Sequence, residues 1–214
     1  MRVVKEHETR RTEIIDTAEE FFLTKGYEKT TINDILKKIG IAKGTFYHYF
    51  KSKEEVMDAV IMRVVDQDRS IAQEVLKTDL GSLEKVLLFL NKQSAAGNQR
   101  KSEMLEQFHQ TENALMKQRA LEGTLKYVCP VLAQMIEEGN QTGEFSTEYP
   151  LESIQFLIAG IQSLSDERML EDDPEMIQRK LISFVEFIFR ILGINEEMTN
   201  KQITTEQLIQ VFIN

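Results

Sequence analysis

The chain is poor in the residues that build disulfide-linked, loop-rich or membrane-spanning proteins. Of 214 residues, one is Cys, three are Pro and ten are Gly. A single cysteine excludes an intrachain disulfide and any cysteine-rich zinc or iron–sulfur site. So little Gly and Pro argues against an all-β fold with many turns and against a disordered chain. The longest uncharged stretch, Ser153 to Ser165, has 13 residues. A membrane-spanning helix needs about 20, so no membrane partner is expected. The charges at Arg2, Lys5, Glu6, Glu8, Arg10 and Arg11 are followed by no apolar core, which is not the pattern of an export signal. The expected location is the reducing cytoplasm.

Motifs for catalysis are also missing. There is no glycine-rich phosphate loop followed by Lys-Ser/Thr, and no Gly-x-Ser-x-Gly nucleophile elbow. Glu106-Gln107-Phe108-His109 has the Glu-x-x-His spacing of half a di-iron helix-bundle site. The second half is absent: His7 and His48 are preceded, three residues earlier, by Val4 and Thr45. The reading is not an enzyme, with no cofactor and no metal.

What is present is 42% hydrophobic and 29% charged residues, enough apolar material for a folded core. The charge is unevenly spread. The net charge is −9, but residues 1–63 carry 12 basic and 11 acidic groups, while 64–214 carry 14 and 24. Within 25–53 seven Lys face only Glu28 and Asp34, a local +5. A basic patch on an acidic body suits a reader of nucleic acid; the plainer alternative is a solvated lysine surface.

Nearly every segment has helical periodicity. Ile14, Ala18, Phe21 and Phe22 form a stripe that ends at Gly26. Thr31 and Asp34 are placed as a capping box for a helix carrying Ile32, Ile35, Leu36 and Ile39, which Gly40 breaks. A short helix then runs from Ala42 to about Tyr49, and Ser52 with Glu55 opens a long one. Three helices in roughly 40 residues, with a tight glycine turn between the second and third, make a helix-turn-helix.

In that third helix Phe46 and Phe50 lie four residues apart and share the buried face. Lys43, Thr45, Tyr47 and His48 are left facing solvent. Aromatic hydroxyl and imidazole groups there can meet phosphates, and a threonine can meet a base edge or a thymine methyl. Gly44 weakens the helix by about 1 kcal/mol relative to Ala but lets the backbone come close to a groove. Lys53 stands at the start of the next helix, where free amides already favour a phosphate. Arg10 and Arg11 read either as an arm reaching backbone or minor groove or as solvated charges.

The stretch Gly26-Tyr27, Thr30-Thr31-Ile32, Asp34-Ile35, Ile39-Gly40-Ile41, Lys43 to Phe50 and Ser52-Lys53-Glu54-Glu55 resembles the DNA-binding segment of the tetracycline-repressor (TetR) family. The resemblance implies phosphate contacts from Thr31, Tyr47, His48 and Lys53, with Lys43, Gly44 and Thr45 at the bases. Ala42 departs from the family's frequent Ser and offers no hydroxyl. Leu36 and Lys37 stand where the family often has Ala, which concerns packing more than readout. The implied architecture is all-α, with about nine to ten helices. A three-helix DNA-binding domain at residues 1–63, including the start of a linking helix, joins a helical ligand-binding and dimerisation domain at 64–214.

In the body the resemblance thins to Glu138-Gly139-Asn140-Gln141-Thr142-Gly143-Glu144-Phe145, similar to the family's Gly-x-x-x-Gly-x-Phe turn. There Gly139 is expected to end a helix and Gly143 to supply a positive-φ position. Residues 151–164 and 177–192 are apolar on more than one face, and one stripe is enough for a surface helix. The second stripe either completes a thick bundle or faces another subunit. By resemblance it is a four-helix homodimer face, with Ile154, Ile158, Ile161, Leu181, Phe184 and Ile188 as candidates. Candidate walls of an effector pocket are Phe89, Met104, Phe108, His109, Tyr127 and Met135. His109 reads equally as pocket contact, exposed residue or satisfied core histidine. Pro130 falls inside a helical pattern and is expected to kink it. The family implies a repressor that occupies a palindromic double-stranded operator and leaves it when a small molecule binds. The competing reading is a protein-interaction module with secondary DNA binding. Residues 194–214 read as a linker and one more amphipathic helix.

Overall fold

The computed structural model describes residues 2–93, 114–164, 173–195 and 205–209. The protein is all-α: among the described residues there is no strand. The helices are α1 (Arg2–Lys25), α2 (Ile32–Ile39), α3 (Lys43–Tyr49), α4 (Lys53–Leu76), α5 (Ser82–Gln93), α6 (Ala114–Gly123), α7 (Cys129–Thr142), α8 (Pro150–Leu164) and α9 (Pro174–Leu192). A further helical turn occupies 205–209, where Leu208 is buried. No described helix is long and apolar enough to cross a membrane.

The described residues divide into two compact units. The first takes residues up to Val65 together with 114–120, and the second takes the remainder from Asp66 onward. The N-terminal unit thus reaches Val65, two residues past the expected boundary at 63, and takes in part of α6.

In the first unit, local rules set the helix ends. The Thr31 side chain accepts from the Asp34 amide at 3.2 Å, while the Asp34 carboxylate accepts from the Thr31 amide at 2.8 Å. Such a cap stabilises a helix by about 1 kcal/mol. Gly40 ends α2 at φ 74°, a left-handed position in which its amide still donates to the Leu36 carbonyl. At α4 the Glu55 amide donates to Ser52 Oγ at 3.1 Å, but the Glu55 carboxylate reaches back to the Lys51 amide, one residue earlier than a capping box requires. The core holds Ile14, Ala18, Phe22, Ile35, Phe46, Phe50, Val56 and Val60.

In the second unit, α7 packs against α5 and α8, and α8 packs against α9. Pro130 lies in helical backbone that runs unbroken from Ala114 to Thr142: residues Thr124–Val128 form a π-helical segment, and Pro130 falls in the first turn of α7 directly after it. At the π spacing the Cys129 amide donates to the Thr124 carbonyl. The next carbonyl, Leu125, would take an amide from residue 130, and proline has none. Gln155 Nε2 on α8 donates to it instead, at 3.1 Å.

Gly139 does not end a helix; α7 continues to Thr142. Its side is occupied by Phe145, because an added Cβ would lie 2.1 Å from the ring. The Phe145 amide donates to the Gly139 carbonyl at 3.1 Å, so ring and backbone are held together. Gly143, at φ 84°, makes the expected turn. Beside it, Glu144 caps α5 by accepting from the Ser82 and Leu83 amides at 3.1 and 3.0 Å. Burial opposes its charged form, but the amides of Leu83 and Ser82 and the Thr142 hydroxyl outweigh that, and its pKa falls. Lys85, nearly buried, donates to Glu138 at 2.7 Å.

Candidate nucleic-acid interface

The presentation of α3 follows from its two phenylalanines. Phe46 is 0% exposed and Phe50 is buried, which fixes the rotation of a seven-residue helix. Lys43, Gly44, Tyr47 and His48 are then exposed, and Thr45 is half-buried. Tyr47 is 44% exposed, a large apolar ring offered to solvent. The Lys43 ammonium stands 5.8 Å over that ring, an attraction that keeps cation and hydroxyl on one surface. Around Gly44 no atom beyond its chain neighbours and its own helix backbone lies within 4 Å of where a Cβ would be, so the missing side chain relieves no internal crowding. The open space belongs to whatever approaches from outside. Ala42 precedes the helix without a side-chain cap.

Two of the expected phosphate contacts are already engaged inside the protein. The Thr31 hydroxyl donates to Asp34 Oδ2 at 2.7 Å, and the Thr31 amide donates to the same oxygen. Lys25 donates there too, at 2.6 Å, and this bond, followed by those from Thr31, holds the Asp34 carboxyl far below the usual carboxylate range. Lys53 Nζ donates to the Tyr27 carbonyl at 2.9 Å and stands 4.1 Å over the Tyr27 ring. Burial, then the charges of Glu54 and Glu28, push the Tyr27 phenol up to about 12, so that ring stays neutral. Lys53 thus ties the start of α4 to the turn after α1, and Thr31 holds the start of α2.

Arg10 and Arg11, which the sequence leaves open as arm or solvated charges, are helical residues with partners inside the chain. Both lie well inside α1, with Arg10 paired to Glu13 at 2.6 Å and Arg11 stacked 5.1 Å over Phe50. Sequence reasoning stopped the first helix short because its first turns carry charges rather than an apolar stripe. It also missed His7, whose ring meets Tyr49 at 4.6 Å and His48 at 5.6 Å. No local signal connects positions 41 residues apart.

In the body, four of the six residues named for a dimer face belong to the chain's own core. Ile154 is 8% exposed, and Leu181, Phe184 and Ile188 are buried as well. Only Ile158 and Ile161 are half-exposed. The outward apolar groups include Phe156 at 70% exposure and Leu164 on α8, with Met176, Ile182 and Phe187, the last at 50%, on α9. Of the pocket candidates, Phe89 and Met135 are buried and Tyr127 is half-buried in the π-helical segment. Met104, Phe108 and His109, with the Glu106-to-His109 spacing, lie outside the described residues. Cys129 is buried, and desolvation raises its thiol to about 11, which makes it packing rather than a nucleophile. Among the described residues no group of three His, Cys, Asp or Glu could hold a metal ion.

This fold and face have known counterparts. Residues 14–60 match the family described as bacterial regulatory proteins, tetR family, and residues 95–187 match the tetracyclin repressor-like C-terminal domain. The fatty acid metabolism regulator protein of Bacillus subtilis (strain 168) is 27% identical over 142 residues, covering 66% of this chain and 73% of that one. The transcriptional repressor KstR2 of Mycolicibacterium smegmatis is 36% identical over 78 residues, but these are only 36% of this chain and 38% of the repressor. Among solved structures, RolR in complex with resorcinol superposes with a TM-score of 0.65 at 17% identity, over 96% of this chain and 95% of RolR. The fatty acid degradation regulator FadR of Bacillus halodurans superposes with a TM-score of 0.59 at 18% identity, over 95% and 94%. These likenesses are to the fold. With one family description matched across the helix-turn-helix and the second across the body, the chain belongs to the tetR family of bacterial regulatory proteins, the DNA-binding transcriptional regulators.

Proposed function

We propose that the protein is a ligand-released repressor that binds a palindromic operator as a homodimer. One observation carries the DNA-binding part: the buried Phe46 turns Lys43, Gly44, Thr45, Tyr47 and His48 outward on one short helix. In this reading α3 enters the major groove, with Lys43, Gly44 and Thr45 at base edges and Tyr47 and His48 on phosphates. Thr31 and Lys53 act chiefly by bracing the helices on either side of the reader. Two readers about one helical turn apart, ~34–36 Å, would meet the two halves of a palindrome.

The dimer face in this reading is the outward one: Phe156 and Leu164 of α8, with Ile182 and Phe187 of α9, flanked by Ile158 and Ile161. Exposed apolar rings on adjacent helices favour burial against a second copy. Phe156→Glu would place a charge in that interface, and a monomer by analytical ultracentrifugation is the expected result. A wild-type protein already monomeric would favour the interaction-module reading, since the apolar face would then be open to another protein.

The effector would be a small organic molecule held in the body beside Tyr127, whose ring and hydroxyl provide one apolar and one polar contact. A relative whose name concerns fatty acid metabolism and a fold neighbour bound to resorcinol support a largely apolar ligand with a polar end. The first test is selection of bound sequences from a random duplex pool by the purified protein at stated salt. A recovered palindrome supports the reading and supplies the operator for effector screens; no motif from a folded dimer would overturn it.

A further inference from the structure

His7 lies seven residues before the first position matched by the family description, which begins at residue 14. It is exposed, yet its ring is not isolated. It packs edge-on to His48 at 79°, with centroids 5.6 Å apart, and tilted against Tyr49 at 4.6 Å. His48 and Tyr49 also meet edge to face, at 5.1 Å, so the three rings form a closed triangle. The contact extends along α1, because Arg11, one turn further on the same face, stacks over Phe50. The stretch of α1 from His7 to Arg11 therefore runs beside the end of α3.

We propose that His7 is a positioning residue for DNA binding, holding the His48 and Tyr49 rings in place on α3. The proposal rests on the reading that α3 is the DNA reader. An exposed histidine on a short helix samples several rotamers in water, and fixing one on a phosphate costs conformational entropy at the moment of binding. The His48 ring, though exposed, contacts both His7 and Tyr49, which removes part of that freedom before DNA arrives. His7 acts through His48 and need not touch the duplex itself.

The test uses the full chain and a fluorescein-labelled duplex recovered from the random pool. Affinity is measured for wild type, His7→Ala, His48→Ala and the double variant, with thermal unfolding of each followed by circular dichroism. His7→Ala should bind roughly three- to tenfold more weakly, at an unchanged melting temperature. In the His48→Ala background it should add less than about twofold, because the ring it positions is gone. His7→Phe, which keeps a flat ring, should bind within about twofold of wild type. Wild-type affinity in His7→Ala, or the same loss in both backgrounds, overturns the proposal while leaving α3 as the reader. If His7→Ala melts early, His7→Phe decides: weak binding at wild-type melting overturns ring positioning. If the wild-type protein selects no duplex, the reading of α3 fails and this inference fails with it.

Discussion

Replacing Gly44 by alanine separates what the protein needs from what DNA needs. Gly44 is the second residue of α3 and has no positive φ, so its backbone suits any residue. No atom beyond its chain neighbours and its own helix backbone lies within 4 Å of the added Cβ, so the substitution meets no packed neighbour inside the chain. Alanine is the better helix former by up to about 1 kcal/mol, and for a chain of this length each kcal/mol raises the melting temperature by roughly 2–4 °C. Gly44→Ala should therefore melt at the wild-type temperature or a few degrees above it. If α3 presents its bare backbone to a groove, the same methyl group lies between helix and DNA. Loss of a close base contact costs about 1–3 kcal/mol, or roughly 5- to 150-fold in affinity. The assay pairs thermal unfolding with titration of a labelled operator. A more stable protein that binds DNA as tightly as wild type would refute the placement of Gly44 at the DNA surface. A less stable one would refute the geometry of α3.

Other substitutions separate further roles. Tyr47→Ala should weaken binding to every operator by about 1–3 kcal/mol with little change in melting, whereas Lys53→Ala should lower both, since it also releases the bond to the Tyr27 carbonyl. Equal melting temperatures for the two would show that the Lys53 bond carries no stability. Gly139→Ala should destabilise the protein by about 1–3 kcal/mol despite the gain in helix propensity, because Phe145 cannot accommodate a Cβ at 2.1 Å; a calorimetric gain in stability would contradict this. Glu144 has a folded pKa below its ordinary value of 4.5, so the unfolded chain binds more protons in that range. Its contribution is complete above about pH 4.5 and is lost as pH falls through the folded pKa. Denaturant melts of Glu144→Gln should show a weaker acid-induced loss over that window than wild type, and parallel curves would remove Glu144 as the source.

What the sequence alone determined is the part of the molecule governed by short-range rules. Thr31 and Asp34 are three residues apart, Gly40 ends the helix they begin, and Phe46 and Phe50 are four apart. A helix of known period must therefore turn Tyr47 and His48 outward. Only the tertiary structure decided the rest. Periodicity reports that α8 and α9 have two apolar stripes but not which one meets a neighbour. Ile154 and Phe184 went inward and Phe156 and Phe187 outward because of where other helices lie. Donor groups have the same property: the Thr31 hydroxyl and the Lys53 ammonium look available until Asp34 and the Tyr27 carbonyl take them. Gly139 reads as a helix end from its own neighbours and as a seat for Phe145 once the chain has turned back. His7 meets His48 only because α1 is long enough to run beside α3. A side chain's type and spacing fix what it can do, and the packing of distant segments fixes which of those options remains.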